Sequence, residues 1–300
     1  MTIPVPSRRR GRTTPCRARG QATPCRAARA FATAAFALLL VAPTTAHEFW
    51  IEAEDYRVTE GEPVRLDLLV GQGFRGNAQP FNPARQRRTA LLGPEGEAAL
   101  ASRIGDRPAI NQPVPGAGLL IAVHETADSV LTYEDRETFE TFVEQEGLDG
   151  ALERHAERGL PDSGFREVFS RSVKALVRLG GGTGADRALG LPVEIVVEGD
   201  PYAEPPGGSV TLRALADGAP MAGALINVFS KPEGGLAPDG EARLAPLRAD
   251  EGGRVTVPLE PATRYLANAV DLREASPELE ERTGAVWESR WGSTTFSTGE

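Results

Sequence analysis

Cysteine and histidine are both scarce in this chain of 300 residues, which has two of the first and three of the second. Cys16 and Cys25 both precede the cleavage point argued below. The exported chain then has no disulfide, no thiolate metal site and no cysteine nucleophile. Other enzyme signatures are missing too. The glycine cluster Gly180–Gly184 lacks the lysine of a phosphate-binding loop and reads as a flexible connector. Neither a Gly-x-Ser-x-Gly elbow nor a His-Glu-x-x-His pair occurs. The chain therefore reads as a non-enzyme. Its abundant carboxylates, such as Glu134/Asp135 and Glu137/Glu140, read as helix-start charges and solvated faces.

What is present begins with a leader. Residues 1–29 carry Arg8, Arg9, Arg10, Arg12, Arg17, Arg19, Arg26 and Arg29, with no acidic residue. An apolar run follows from Ala30 to Ala42, then Pro43-Thr44-Thr45-Ala46. A basic region, a short apolar region and small residues at the cut are the pattern of a secretory signal peptide. The apolar run falls short of the roughly 20 residues that span a bilayer. The expected cut lies between Ala46 and His47, and the expected location is the periplasm. No cysteine follows the apolar run, so no lipid anchor is expected. Cleavage removes eight of 33 basic residues and none of the 42 acidic ones, so the net charge moves from −9 to about −17. Such a surface excludes nucleic acid and anionic membrane as partners.

The expected fold is mainly β: two β-sandwich domains of immunoglobulin-like or transthyretin-like shape, with a helical insertion between them. In 47–133, Val64-Arg65-Leu66-Asp67-Leu68 alternates apolar and charged residues, the period of a half-buried strand. Arg88–Leu92 and Gly118–Val123 are further strand candidates. In 134–189, Phe139, Phe142 and Val143 recur at helical spacing, with Gly147 placed as a helix C-cap. A second helix is expected over Leu148–Arg158. A third is expected over Phe165–Leu179, with Arg166, Glu167, Arg171 and Lys174 on its wet side. In 190–300, strands are expected at Val193–Val197, Ser209–Ala214, Ala224–Phe229, Arg254–Leu259, Arg264–Val270 and Trp287–Phe296. Phe49, Trp50, Trp287 and Trp291 read as anchors of the two chain ends.

The three histidines differ in promise. His155, in Glu153-Arg154-His155-Ala156-Glu157, reads as solvent-facing. His124 follows the apolar run Leu119–Val123 and reads first as a strand-end histidine bonded to backbone. His47 is the sharp case. Once freed, its α-amine and Nδ1 can chelate one ion in a ring. An α-amine ordinarily titrates at about 7.7–8.0 and an imidazole at about 6.5, so both shed protons near neutrality. Such nitrogens suit nickel, cobalt, copper and zinc.

Longer stretches carry a resemblance. His47-Glu48-Phe49-Trp50-Ile51-Glu52, Val70-Gly71-Gln72-Gly73-Phe74-Arg75-Gly76 and Phe81-Asn82-Pro83-Ala84-Arg85 are among them. Ser170–Leu176, Leu189–Pro192, Asn268-Ala269-Val270 and Trp287-Glu288-Ser289-Arg290-Trp291 complete the set. Together they resemble a periplasmic family catalogued as a domain of unknown function, the DUF-4198 group. The resemblance implies a role in nickel or cobalt uptake beside an inner-membrane transporter. In the family pattern a histidine follows the Asn-Ala-Val stretch; here Asp271 stands in that place, a harder ligand than imidazole. The expected metal ligands are thus His47 with Asp271 or His124. Two alternatives stay open: a non-catalytic module that binds protein or glycan, and a copper oxidase built on a terminal-histidine brace.

Overall fold

The computed structural model describes residues 48–202, 208–236 and 240–298. The leader and His47 lie outside these residues. In chain order the strands are β1 (Glu48–Ala53), β2 (Arg57–Val58), β3 (Pro63–Gln72), β4 (Arg75–Gln79), β5 (Gln86–Gly93), β6 (Gly96–Ala98), β7 (Ile110–Pro113), β8 (Gly118–Thr126) and β9 (Ser129–Tyr133). After helices α1 (Arg136–Gln145) and α2 (Ala151–Glu157) come β10 (Phe165–Leu179), β11 (Val193–Glu198), β12 (Ser209–Ala216), β13 (Ala219–Pro220), β14 (Leu225–Pro232), β15 (Arg243–Arg248), β16 (Arg254–Pro258) and β17 (Thr263–Glu274). Helix α3 (Pro277–Thr283) precedes the last strand, β18 (Ala285–Ser297).

These strands form three sheets. A ten-stranded sheet runs β15-β14-β17-β18-β10-β8-β5-β6, with β2 and β9 also paired to β10. One four-stranded sheet holds β1, β3, β4 and β7; the other holds β11, β12, β13 and β16. Alternation along β8 shows how they stack. Leu120 and Ala122 enter one core with Ile51, Leu66 and Leu68 of the β1 sheet. Ile121 and Val123 enter a second core with Ile195, Val197 and Leu212 of the β11 sheet. The large sheet is therefore the middle layer, apolar on both faces. The expected boundaries at 133/134 and 189/190 fall between strands that hydrogen-bond within it, because β10 pairs with β8, β9 and β18.

Strand β18 ties the layers together. Ser293 and Thr295 donate their hydroxyls to the carbonyls of Phe49 and Ile51 in β1, at 2.7 and 2.6 Å. Thr294, pointing the other way, donates to the carbonyl of Ile195 in β11 at 2.6 Å. Both recipients are edge strands with unpaired backbone groups. The run Gly292-Ser293-Thr294-Thr295 is thus polar yet buried, because buried carbonyls need donors.

The expected third helix is corrected. Phe165–Leu179 is a 15-residue strand, buried along nearly all its length. Phe165, Val168, Phe169, Val173, Leu176 and Leu179 do fall at helical spacing. A central strand covered on both faces, however, also reads as a near-continuous apolar run. Its valines and phenylalanines suit the pleated surface better. With that correction, Lys174 is not on a wet face but fully buried. The first helix forms as expected, with Asp135 accepting from the backbone of Thr138 as the N-cap of α1. The second forms but is shorter than expected, Ala151–Glu157, because Gly150 in the left-handed region starts it three residues late. The cluster at 180–184 is also tighter than a flexible connector. A Cβ at Gly182 would meet the backbone of Ala117 at 2.4 Å, and one at Gly184 would meet Leu119 at 2.5 Å. None of the described helices is long and apolar enough to cross a membrane.

Candidate functional site

His124 sits near the end of β8, paired in register with Thr89 of β5. It is not a strand-end histidine on backbone, as expected, but is bonded to a side chain. Its Nδ1 lies 2.8 Å from the Thr89 hydroxyl, which in turn donates to Oε1 of Gln86 at 2.5 Å. A hydroxyl has one proton, and Gln86 takes it. The network therefore assigns the proton between Thr89 and His124 to the ring: Nδ1–H donates, and Nε2 keeps its lone pair. Burial pushes the imidazole down to about 4, so it is neutral near neutral pH.

His124 lines a cleft of about 390 Å³ with Phe49 of β1, Val70 of β3, Asn82 and Arg85 of a 3-10 turn, Thr126, and Arg171 of β10. The rings of Phe49 and His124 lie 5.6 Å apart. The Arg171 guanidinium stacks on Phe169 at 4.6 Å and over Phe49 at 5.9 Å. Burial lowers its pKa to about 10, and the carboxylates of Glu167 and Glu48 oppose that fall. Arg171 was missed at the level of sequence because a helix would have aimed it at solvent. The odd-numbered run Arg171, Val173, Ala175, Val177 was the available signal.

The other predicted positions lie elsewhere. His155 is not solvent-facing but 4% exposed. Its Nδ1 accepts from Trp287 Nε1 at 3.1 Å, and its Nε2 lies 3.0 Å from the carbonyl of Pro161. Both nitrogens are thus engaged by the protein. Asp271, on β17, accepts at Oδ2 from Nε and Nη2 of Arg290 at 3.0 and 2.6 Å. It does not line the His124 cleft. Among the described residues no group of three or more His, Cys, Asp or Glu converges to hold a metal. The described donors do not make a metal site by themselves.

Residues 44–271 match the family described as "Domain of unknown function (DUF4198)". The chain belongs to this family. No curated protein matches the sequence. Among solved structures, an alpha-2-macroglobulin mutant from Salmonella is 14% identical, at a TM-score of 0.21. That match covers 85% of this chain and 15% of the other. The native alpha-2-macroglobulin of E. coli is 12% identical at the same score, over 85% of this chain and 14% of that one. The chain thus spans about 15% of the length of these proteins.

Proposed function

We propose that this is an exported, periplasmic protein that binds one nickel or cobalt ion and passes it to an inner-membrane uptake system. In this reading the amine and Nδ1 of His47 form a chelate and Nε2 of His124 completes it. The observation that carries the reading is the state of His124: neutral, held by Thr89 through Nδ1, and on the wall of the cleft that Phe49 also lines. An outer partner that fixes the tautomer is the usual support of a ligating histidine. His47 precedes Phe49 by two positions in the sequence, and two residues of chain span at most about 7 Å. His124 is favoured over Asp271, whose Oδ2 already takes two hydrogen bonds from Arg290. Arg171 in the same wall is a cation whose charge Glu48 and, in its ionised form, Glu167 oppose. We read the fold itself as two sandwiches sharing their middle sheet, since each face of that sheet has its own core.

The test is calorimetry with nickel, cobalt and copper on protein whose free N-terminus at His47 is established by mass spectrometry. Four forms are compared: native, His47→Ala, His124→Ala, and one carrying an extra residue ahead of His47. Native protein should bind one ion. Each altered form should lose at least tenfold in affinity, about 1.4 kcal/mol. Affinity should also fall as pH drops, because protons compete for the same nitrogens. Equal affinity in the native and extended forms removes the terminal chelate. No binding by any form favours a protein- or glycan-binding module. Oxidative turnover by the copper-loaded protein would favour the brace oxidase.

A further inference from the structure

Lys174, Asp186 and Glu194 form a second buried polar cluster, and no metal reading uses it. The chain has only two lysines, Lys174 and Lys231; every other basic side chain is arginine or histidine. Arginine cannot lose its proton in a protein, whereas a buried lysine can become a nucleophilic amine. Lys174 Nζ lies 2.8 and 3.0 Å from the two carboxyl oxygens of Asp186 and 3.9 Å from Oε2 of Glu194. The three side chains are 1%, 0% and 0% exposed.

We propose that Lys174 and Asp186 condense into an intramolecular isopeptide bond, with Glu194 carrying the protons. An amine held between both oxygens of a carboxyl lies within the near-attack range of its carbon, about 3–3.5 Å. The carboxyl is also activated. The backbone N–H of Arg187 donates to Oδ1 at 2.8 Å and that of Val197 to Oδ2 at 2.9 Å. These donors polarise the group and hold the oxygen charge that develops on attack. Glu194 is fixed beside them, accepting from the backbone of Leu189 and Gly190 at 2.9 and 3.0 Å.

The step balances without a co-reactant. The ammonium gives one proton to Glu194, and the freed amine forms the Nζ–Cγ bond. One Cγ–O bond breaks. Its oxygen leaves as water, taking two of the three ammonium protons by way of Glu194, which ends as the carboxylate it began as. The positive and negative charges of the pair disappear together, so the product escapes the desolvation cost of a buried ion pair. The link joins β10 of the middle sheet to the segment leading into β11. It would give a covalent staple to a chain whose two cysteines both lie in its first 25 residues.

Intact mass of the denatured protein tests this, with peptide mapping. The native protein should be lighter than its sequence by one water and should yield a branched peptide containing both Lys174 and Asp186. Lys174→Arg keeps the charge but cannot acylate, and should show the full mass. Glu194→Gln should fold, with an unchanged far-ultraviolet dichroism spectrum, yet show mostly unlinked mass. A folded native protein of full mass overturns the proposal. So does water loss that persists in Lys174→Arg. Complete linkage in Glu194→Gln overturns the role given to Glu194.

Discussion

His124 and His155 are buried to the same degree, 4% exposed, yet their surroundings ask different things of them. His155 lies in an aromatic core, 4.5 Å from the ring of Phe165 and 5.3 Å from that of Phe139, and both its nitrogens are paired. Beside it, Glu167 accepts from Tyr133 at 2.7 Å and from Ser289, while Trp291 donates to Ser289 at 3.0 Å. In that region the polar atoms named are hydrogen-bonded to one another or to backbone. His124 instead commits one nitrogen to Thr89 and forms part of a cleft wall. Burial alone therefore does not mark a functional histidine; an uncommitted lone pair beside open space does.

The strongest way to break this comparison is to attack the His155 side. Trp287→Ala should cost about 3–5 kcal/mol in chemical denaturation, since a large buried ring is lost and His155 Nδ1 loses its donor. A loss under about 1 kcal/mol would mean that region is not the rigid core described.

Two buried titratable groups should respond to pH with opposite sign. The pKa of Glu167 is raised from 4.5 to about 7, chiefly by burial. The folded state then holds its proton more tightly than the unfolded one. That contribution is full below about 4.5 and is lost as pH rises through about 7. His124 is lowered from 6.5 to about 4, so its contribution is full above 6.5 and is lost as pH falls toward 4. Each shift corresponds to roughly 3 kcal/mol at most. Denaturation series in Glu167→Gln should show a reduced first slope, the remainder coming from Glu146, which burial likewise raises, to about 8, and in His124→Gln the second slope should be lost. An unchanged slope in either variant would dismiss that assignment.

His155→Ala should destabilise by about 2–3 kcal/mol, from the orphaned Trp287 and Pro161 groups and the void together, and should leave metal affinity unchanged. His124→Ala should cost about 1–2 kcal/mol, because its void opens into a cleft, while weakening metal binding. The reverse pattern would exchange the roles of the two histidines. The smallest stability effect should come from Thr89→Val, about 1 kcal/mol for one hydrogen bond. The same change should lower metal affinity by roughly 10–100-fold, as loss of a ligand's outer partner does. Unaltered affinity there would show that Thr89 does not orient the ring.

Much of the strand pattern was legible from local chemistry. Val64–Leu68 alternates with period 2 and lies within β3. The capped helix at 136–145 was legible for the same reason: its signals act within a few residues. The 165–179 segment was not. A strand buried on both faces loses its alternation, and what remains of its apolar pattern fits a helix equally well. That one misreading carried Arg171 and Lys174 to the surface with it.

What the sequence by itself determined was the mainly β class, the first two helices, the family, and the scarcity of chemistry-bearing residues that makes three histidines and two lysines worth tracing. These follow from short-range patterns and from counting. Only the tertiary structure decided that β10 is the centre of a shared sheet, and that His124 and Phe49, far apart in sequence, border one cleft. It alone brought Lys174 against Asp186 and Glu194, and gave the hydroxyls of Ser293, Thr294 and Thr295 to the edges of two other sheets. Those contacts depend on which strands become neighbours, and neighbours far apart in the chain are chosen by the packing of whole faces, which no local window of residues contains.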